Sequence, residues 1–184
     1  MYPKSVIEQV VKSQRERLNK TDKGMWRKIS GFERLSTHAF IVSGVRRCGK
    51  STVLQQIDTA SKEPSIYLNF EDPRLAGFDL SDFNRLQEIA EEAGINRYFF
   101  DEIQEIEGWE SFIRFRLDEN YRIFISGSNA RILSKELGSK LTGRHITREL
   151  FPFSYLEYLE FTAKSRNEES SEQYLRDGGF PEYL

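Results

Sequence analysis

Two glycines, the second followed at once by a lysine and a hydroxyl residue, stand at Gly44, Gly49, Lys50 and Ser51 in the stretch GVRRCGKST. The spacing G-x-x-x-x-G-K-[ST] works only between a buried strand and a helix, and "AFIVS" before it and "STVLQQI" after it supply both. The two glycines allow backbone angles and close approach that a Cβ would block, so successive N–H groups face a phosphate. The positive N-terminus of the helix after the loop adds to the attraction. In this reading Lys50 reaches the outer phosphates and Ser51 offers its hydroxyl to Mg²⁺. Val45, Arg46, Arg47, Cys48 and Thr52 complete the loop. Arg46, Arg47 and Cys48 read as solvated positions whose backbone does the binding. Cys48 also lies beside Lys50 and a helix N-terminus, which predicts a lowered thiol pKa and nucleotide binding blocked by alkylation.

Composition bounds what can surround this loop. At 184 residues, 38% hydrophobic and 13% aromatic, the chain is sized for one globular domain with a real core. Its 27 basic and 29 acidic side chains give a net charge of −2, so no overall positive field gathers nucleic acid or an anionic membrane. One cysteine rules out an internal disulfide, and two distant histidines make no zinc site. No apolar run has signal-peptide or membrane-span character, and the expected compartment is the cytoplasm.

Helix-like and strand-like stretches alternate along the chain. Helices are expected at Val6–Leu18 (with Val6, Val10 and Val11 on one face), Lys50–Ser61, within "LSDFNRLQEIAEEAG" from a Ser81 cap to Gly94, at Trp109–Asn120, at Asn129–Leu137 and after Pro152. Strands are expected at Ala39–Ser43, Ser65–Phe70, Arg97–Asp101, Tyr121–Ser126 and in "HITREL", with a turn at Gly138 and Gly143 before the last. This alternation predicts a three-layer α/β/α domain on a parallel sheet. "AKSRNEESSEQ" has the most linker-like composition. The apolar ending "YLRDGGFPEYL" points to a C-terminal domain that comes next in the whole protein.

The acidic residues beyond the loop select the chemistry. "RYFFDEIQEI" is an apolar strand ending in Asp101 and Glu102. Asp101 there supports Mg²⁺, through water, and Glu102 orients or deprotonates an attacking water. Guanine specificity is not expected, since the only N-K-x-D match, "NKTD" at 19–22, precedes the loop. A nucleotide kinase usually lacks the second carboxylate, and ranks after hydrolysis.

The order of phosphate loop, "FFDEIQ", "SGSN", "GRHITRELFPFSYLEYL" and "GGFPEYL" resembles the AAA+ ATPases, and within them a prokaryotic family whose ATPase module precedes a C-terminal domain. The resemblance implies strand order 5-1-4-3-2, ATP and Mg²⁺ as ligands, and hydrolysis that depends on oligomerisation. It implies a polar sensor at Ser128 or Asn129 after the fourth strand. It also implies that Asn69 hydrogen-bonds Glu102 until a partner binds, or else caps its strand end. Arg144 falls where such proteins place an arginine finger that completes a neighbour's site, the alternative being a surface arginine near a turn. Few residues come after the last strand, short for a helical lid. The expected division is a helical flank (1–30), an ATPase core (31–162), and a linker or helix (163–184) leading to a C-terminal domain. A nucleotide-gated switch with little turnover is the competing class, and a phosphotransferase a third. "FPFSYLEYLEF" reads as core or interface, and "IRFRL" carries too few arginines for a nucleic-acid claim.

Overall fold

Side chains alternating along five strands sort to two faces, and this period of two builds the molecule. The computed structural model describes residues 1–32, 37–128, 141 and 143–184. Strands β1 (Ala39–Gly44), β2 (Ile66–Asn69), β3 (Arg97–Asp101), β4 (Arg122–Gly127) and β5 (His145–Leu150) pair in parallel throughout. Their order is β2-β3-β4-β1-β5, which read from the other edge is the expected 5-1-4-3-2. All five carboxyl ends therefore emerge along one edge, where open α/β sheets bind ligands.

One face carries Ile41, Leu68, Phe100 and Ile125 and is covered by α1 (Lys4–Lys20), α3 (Leu80–Glu92) and α4 (Trp109–Asp118). The other carries Phe40, Val42, Phe99 and Phe124 under α2 (Lys50–Ser61). On that face the Phe99 and Phe124 rings stack at 4.4 Å, with the buried Arg97 guanidinium 5.2 and 5.4 Å from their centroids. Each burial contributes about 1.5–3 kcal/mol per large apolar side chain, so the two cores fix the edge geometry.

The buried residues of α1 are Ile7, Val10 and Gln14, so its inner stripe is centred there, with Val6 and Val11 at the margins. Gln14 is the functional end of that stripe. Its amide donates to the Asn69 carbonyl at 3.2 Å and its carbonyl accepts from the Asn69 N–H at 2.8 Å, which ties α1 to the end of β2.

Two expectations change. The N-cap of α3 is Asp79, not Ser81: the Asp79 carboxylate accepts from the Ser81 N–H at 2.7 Å, and Asp82 reaches back to the Asp79 N–H at 3.1 Å. A carboxylate is the stronger acceptor for those N–H groups, and it pulls the start of the helix to Leu80. The helix ends as expected, with Gly94 at φ +64 just past it. The linker-like "AKSRNEESSEQ" holds the start of a helix: α5 (Tyr155–Thr162) is followed by α6 (Glu168–Asp177), capped reciprocally by Asn167 and Ser170. Polar composition hid it because Asn and Ser serve the cap, while Tyr174 packs on the Tyr155 and Tyr158 rings at 5.6 and 5.3 Å. The helix expected at 129–137 and the turn residue Gly138 lie outside the described residues; Gly143 is in a turn at φ +79. Among the described residues no helix is long and apolar enough to cross a membrane.

Urea unfolding of Asp79→Ala is expected to show a loss of about 1 kcal/mol, and of Ser81→Ala a smaller one. The reverse order would return the cap to Ser81.

Candidate functional site

The loop from β1 to α2 is shaped by contacts that exclude side chains. Gly44 has φ +150, and a Cβ there would lie 2.2 Å from the Leu150 carbonyl oxygen of β5 and 3.0 Å from Cys48 Sγ. Gly49, at φ +96, turns the chain into α2, whose first turn has no side-chain cap. An uncapped first turn leaves N–H groups and the positive end of the helix dipole directed at the loop, which is the electrostatic requirement of a phosphate cradle.

Lys50 is 4% exposed, and its ammonium donates to the Val45 carbonyl at 3.1 Å and lies 3.6 Å from Glu102 Oε1. Ser51, the next residue of α2, hydrogen-bonds Asp101. The Asp101 carboxylate is fully buried at the end of β3. It accepts from the Tyr67 hydroxyl at 2.8 Å, from the Asn69 amide at 3.3 Å, and from the Ser126 hydroxyl. Burial pushes the Asp101 carboxyl above its ordinary pKa, against the pull of those donors. A site that wants charge here therefore gains from a cation.

Glu102 leaves the strand in the left-handed region, φ +52 and ψ +48. That conformation costs a non-glycine residue about 1–3 kcal/mol and is held by surrounding bonds. The Glu102 N–H donates to Ser126 Oγ at 3.3 Å. Its carboxylate accepts from the Gln104 amide at 2.5 Å and from the Ser128 N–H at 2.9 Å. Burial raises its pKa, but the Gln104 amide, the Lys50 charge and Ser128 outweigh that and hold the carboxyl below the ordinary glutamate range. It stays an acceptor-only carboxylate near neutral pH.

Lys50, Ser51, Asp101, Glu102 and Ser128 thus meet at the carboxyl edge. Asn129 lies outside the described residues. Asn69 is at the same edge, but its amide donates to Asp101 and not to Glu102, while its side-chain carbonyl accepts from the Glu71 N–H at 2.8 Å, which is the strand-end cap given as the alternative. The register explains the difference: Asn69 is directly opposite Asp101 in the β2–β3 ladder, and Glu102, one residue on, has left the strand. Arg144 is at the other edge, before β5, where it pairs with Asp118 and donates to the Thr37 carbonyl at 3.2 Å. A six-residue strand, about 20 Å, separates it from its own loop.

The loop's variable positions are not all solvated. Val45 and Arg46 are exposed, and Arg46 pairs with Glu71 at 3.3 Å. Arg47 pairs with Glu182 at 3.1 Å. Cys48 is fully buried in the core beneath the loop, and desolvation raises its thiol pKa, with Lys50 and Arg27 only partly opposing. The expected activated thiol is corrected: the helix dipole and Lys50 act on a group from which water is excluded. Sequence reading also missed Tyr67, Ser126, Gln104 and the 181–183 turn. Tyr67 had a usable signal, since in a strand it shares a face with Asn69 two residues on.

A phosphate-loop glycine pair, a lysine and serine entering a helix, and an acid pair ending a neighbouring strand define a P-loop nucleotide-binding fold. The sequence profile of the family described as an AAA domain matches residues 36–159, and the chain belongs to that family of P-loop ATPases. An uncharacterized protein of Methanocaldococcus jannaschii is 38% identical over 155 residues, covering 77% of this chain and 35% of that protein. One of Haemophilus influenzae is 37% identical over 157 residues, covering 77% and 39% respectively. The chain spans less than two fifths of the length of these relatives. A solved structure of katanin, determined to explain its self-assembly, superposes with a TM-score of 0.50 at 16% identity over 80% of this chain and 54% of that one. At that identity the likeness concerns the fold alone.

In the folded protein, Cys48 is expected to resist a thiol reagent such as DTNB and to react fully once denaturant unfolds the chain. Prompt stoichiometric labelling of the native protein would reverse its placement.

Proposed function

We propose that this domain binds Mg·ATP and hydrolyses it by attack of water on the γ-phosphate. The convergence of Lys50, Ser51, Asp101 and Glu102 on one uncapped helix start carries this reading. Lys50 and the loop N–H groups hold the charge that spreads over the transferring phosphoryl group. Gly44, Val45, Arg46, Arg47, Cys48, Gly49 and Thr52 contribute through the loop backbone rather than through chemistry of their own. Ser51 and the buried Asp101 fit Mg²⁺, which takes one or two protein oxygens and draws the rest of its ligands from phosphate and water. Bound Mg²⁺ supplies neutralisation of phosphate charge. Glu102 orients the attacking water and takes its proton as the P–O bond to ADP breaks and the leaving oxygen keeps the electron pair. Ser128 fixes the Glu102 carboxylate, with Asn129 the other sensor candidate. Asn69 positions Asp101.

Arg144 is too far from its own loop to act in cis, so in this proposal it serves a neighbouring subunit, as an arginine finger worth about 10³–10⁵ in rate. Release from Asp118 is then part of assembly. The soluble, cytoplasmic setting and the division into a 1–30 flank, a 31–162 core and a 163–184 extension belong to the same proposal. Nucleic acid is not part of it.

One observation favours a second reading, a nucleotide-gated switch with little turnover. The Glu102 carboxylate is engaged by Gln104, Ser128 and Lys50, and Arg144 by Asp118. A subunit that never releases those contacts binds nucleotide and waits.

ATP turnover measured against protein concentration separates the two. Activity per subunit should rise with concentration. Lys50→Ala should abolish binding, and Glu102→Gln should keep binding while losing about 10²–10⁴ in rate. Arg144→Ala should lose the concentration dependence. Binding without turnover at every concentration would favour the switch, and undiminished turnover in Glu102→Gln would remove Glu102 from the chemistry.

A further inference from the structure

The chain's last residues return to the phosphate loop. Past α6, Gly178 turns the backbone at φ +77, and Gly179 presses against the body so closely that a Cβ would lie 2.1 Å from the Phe153 carbonyl oxygen. The Phe153 N–H donates to the Gly179 carbonyl at 2.6 Å. Pro181 then opens a turn closed by the Tyr183 N–H on the Phe180 carbonyl at 3.0 Å. Pro181 Cγ lies 4.0 Å from where a Cβ on Gly49 would stand. Arg47 grips the turn's end: its Nε is 3.1 Å from Glu182 Oε2, it donates to the Tyr183 hydroxyl, and its guanidinium is 5.8 Å from the Tyr183 ring centroid.

A cavity of about 400 Å³ is lined by both the loop and this turn, including Lys50, Glu102, Pro181 and Glu182. Its charges are matched within the protein. Arg46 faces Glu71 at 3.3 Å, Lys50 faces Glu102 at 3.6 Å, and Arg47 faces Glu182 at 3.1 Å. Three carboxylates therefore stand where a polyanion would put its own charge. A triphosphate entering this cavity repels all three and competes for their cations. Glu102 comes directly after β3, and Glu71 stands two residues past β2 with its N–H held by the Asn69 side-chain carbonyl at 2.8 Å. Glu182 rides on a turn attached at the Gly179–Phe153 contact and at Arg47, with Pro181 beside Gly49.

We propose that Gly178–Tyr183 is a strap on the phosphate loop, held by Arg47 and lifted when a nucleoside triphosphate takes Arg47 from Glu182. The inference rests on the nucleotide reading above and adds how occupancy of that site is reported outside it. Glu182 and Tyr183 are in this sense internal competitors of the nucleotide.

The test uses the 184-residue chain with Mg·AMP-PNP as probe. Calorimetry gives the affinity of wild type, Lys50→Ala, Glu182→Gln and Tyr183→Phe, and amide exchange tracks the Phe153 and Tyr183 N–H groups with and without probe. Glu182→Gln is expected to bind about two- to fivefold tighter, the worth of one exposed ion pair, and Tyr183→Phe, which loses only the hydrogen bond from Arg47, tighter by a smaller factor. In wild type both amides are expected to exchange faster when the probe is bound, a readout that needs no variant to fold. Unchanged or weaker binding in Glu182→Gln, or greater protection of the two amides with probe, overturns the strap while Lys50-dependent binding keeps the nucleotide reading. No binding by wild type overturns both.

Discussion

A carboxylate with no exposure to solvent, at the end of β3, is the group around which the carboxyl edge is organised. Burying such a charge costs several kcal/mol unless hydrogen bonds replace its water. Asp101 recruits them from three elements: Tyr67 and Asn69 from β2, Ser126 from β4 and Ser51 from α2. Tyr67 remains a donor because burial, and then the Asp101 charge, raise its own pKa well above the ordinary value. Removing that charge would leave four donors without their acceptor, so the site and the sheet edge stand or fall together. Ser126 extends the arrangement by accepting from the Glu102 N–H, which fixes the left-handed residue that turns the second carboxylate toward Lys50.

Much of this was legible in the sequence because it depends on short spacings. The loop, its flanking strand and helix, and the acid pair at the end of "RYFF" are all local, and the parallel order comes once strands alternate with helices. The bonds of Asn69 were not legible, because its partner is set by register across two strands, where a shift of one residue changes Asp101 for Glu102. Cys48 was misread for a related reason: its neighbours in sequence are polar, but it belongs to an apolar cluster drawn from α2 and all five strands. The second C-terminal helix was hidden by its own caps, since Asn167 and Ser170 look like linker until their reciprocal bonds are seen. Arg47 and Glu182 are far apart in the chain, and no local pattern joins them.

The cations of the loop region illustrate how placement decides value. Arg46 and Glu71 are largely exposed, and a pair of that kind contributes about 1 kcal/mol at most. Lys50 and Glu102 face each other at 4% and 10% side-chain exposure, where screening is weak and separation must be compensated by another charge. A cation and a carboxylate therefore serve as a surface ornament at one end of the cavity and as a fixed electrostatic couple at the other.

The close approaches at Gly44 and Gly179 have a mechanical meaning. One side of the β5–α5 turn touches the phosphate loop through the Leu150 carbonyl, and the other touches the C-terminal turn through the Phe153 carbonyl. Residues 150–153 thus lie between two glycines, with backbone close against backbone at Leu150 and at Phe153. Repulsion at such distances rises steeply, so a shift of a few tenths of an ångström on one side is passed on rather than absorbed. A side chain at either glycine would therefore drive residues 150–153 off one of the two neighbours they hold apart.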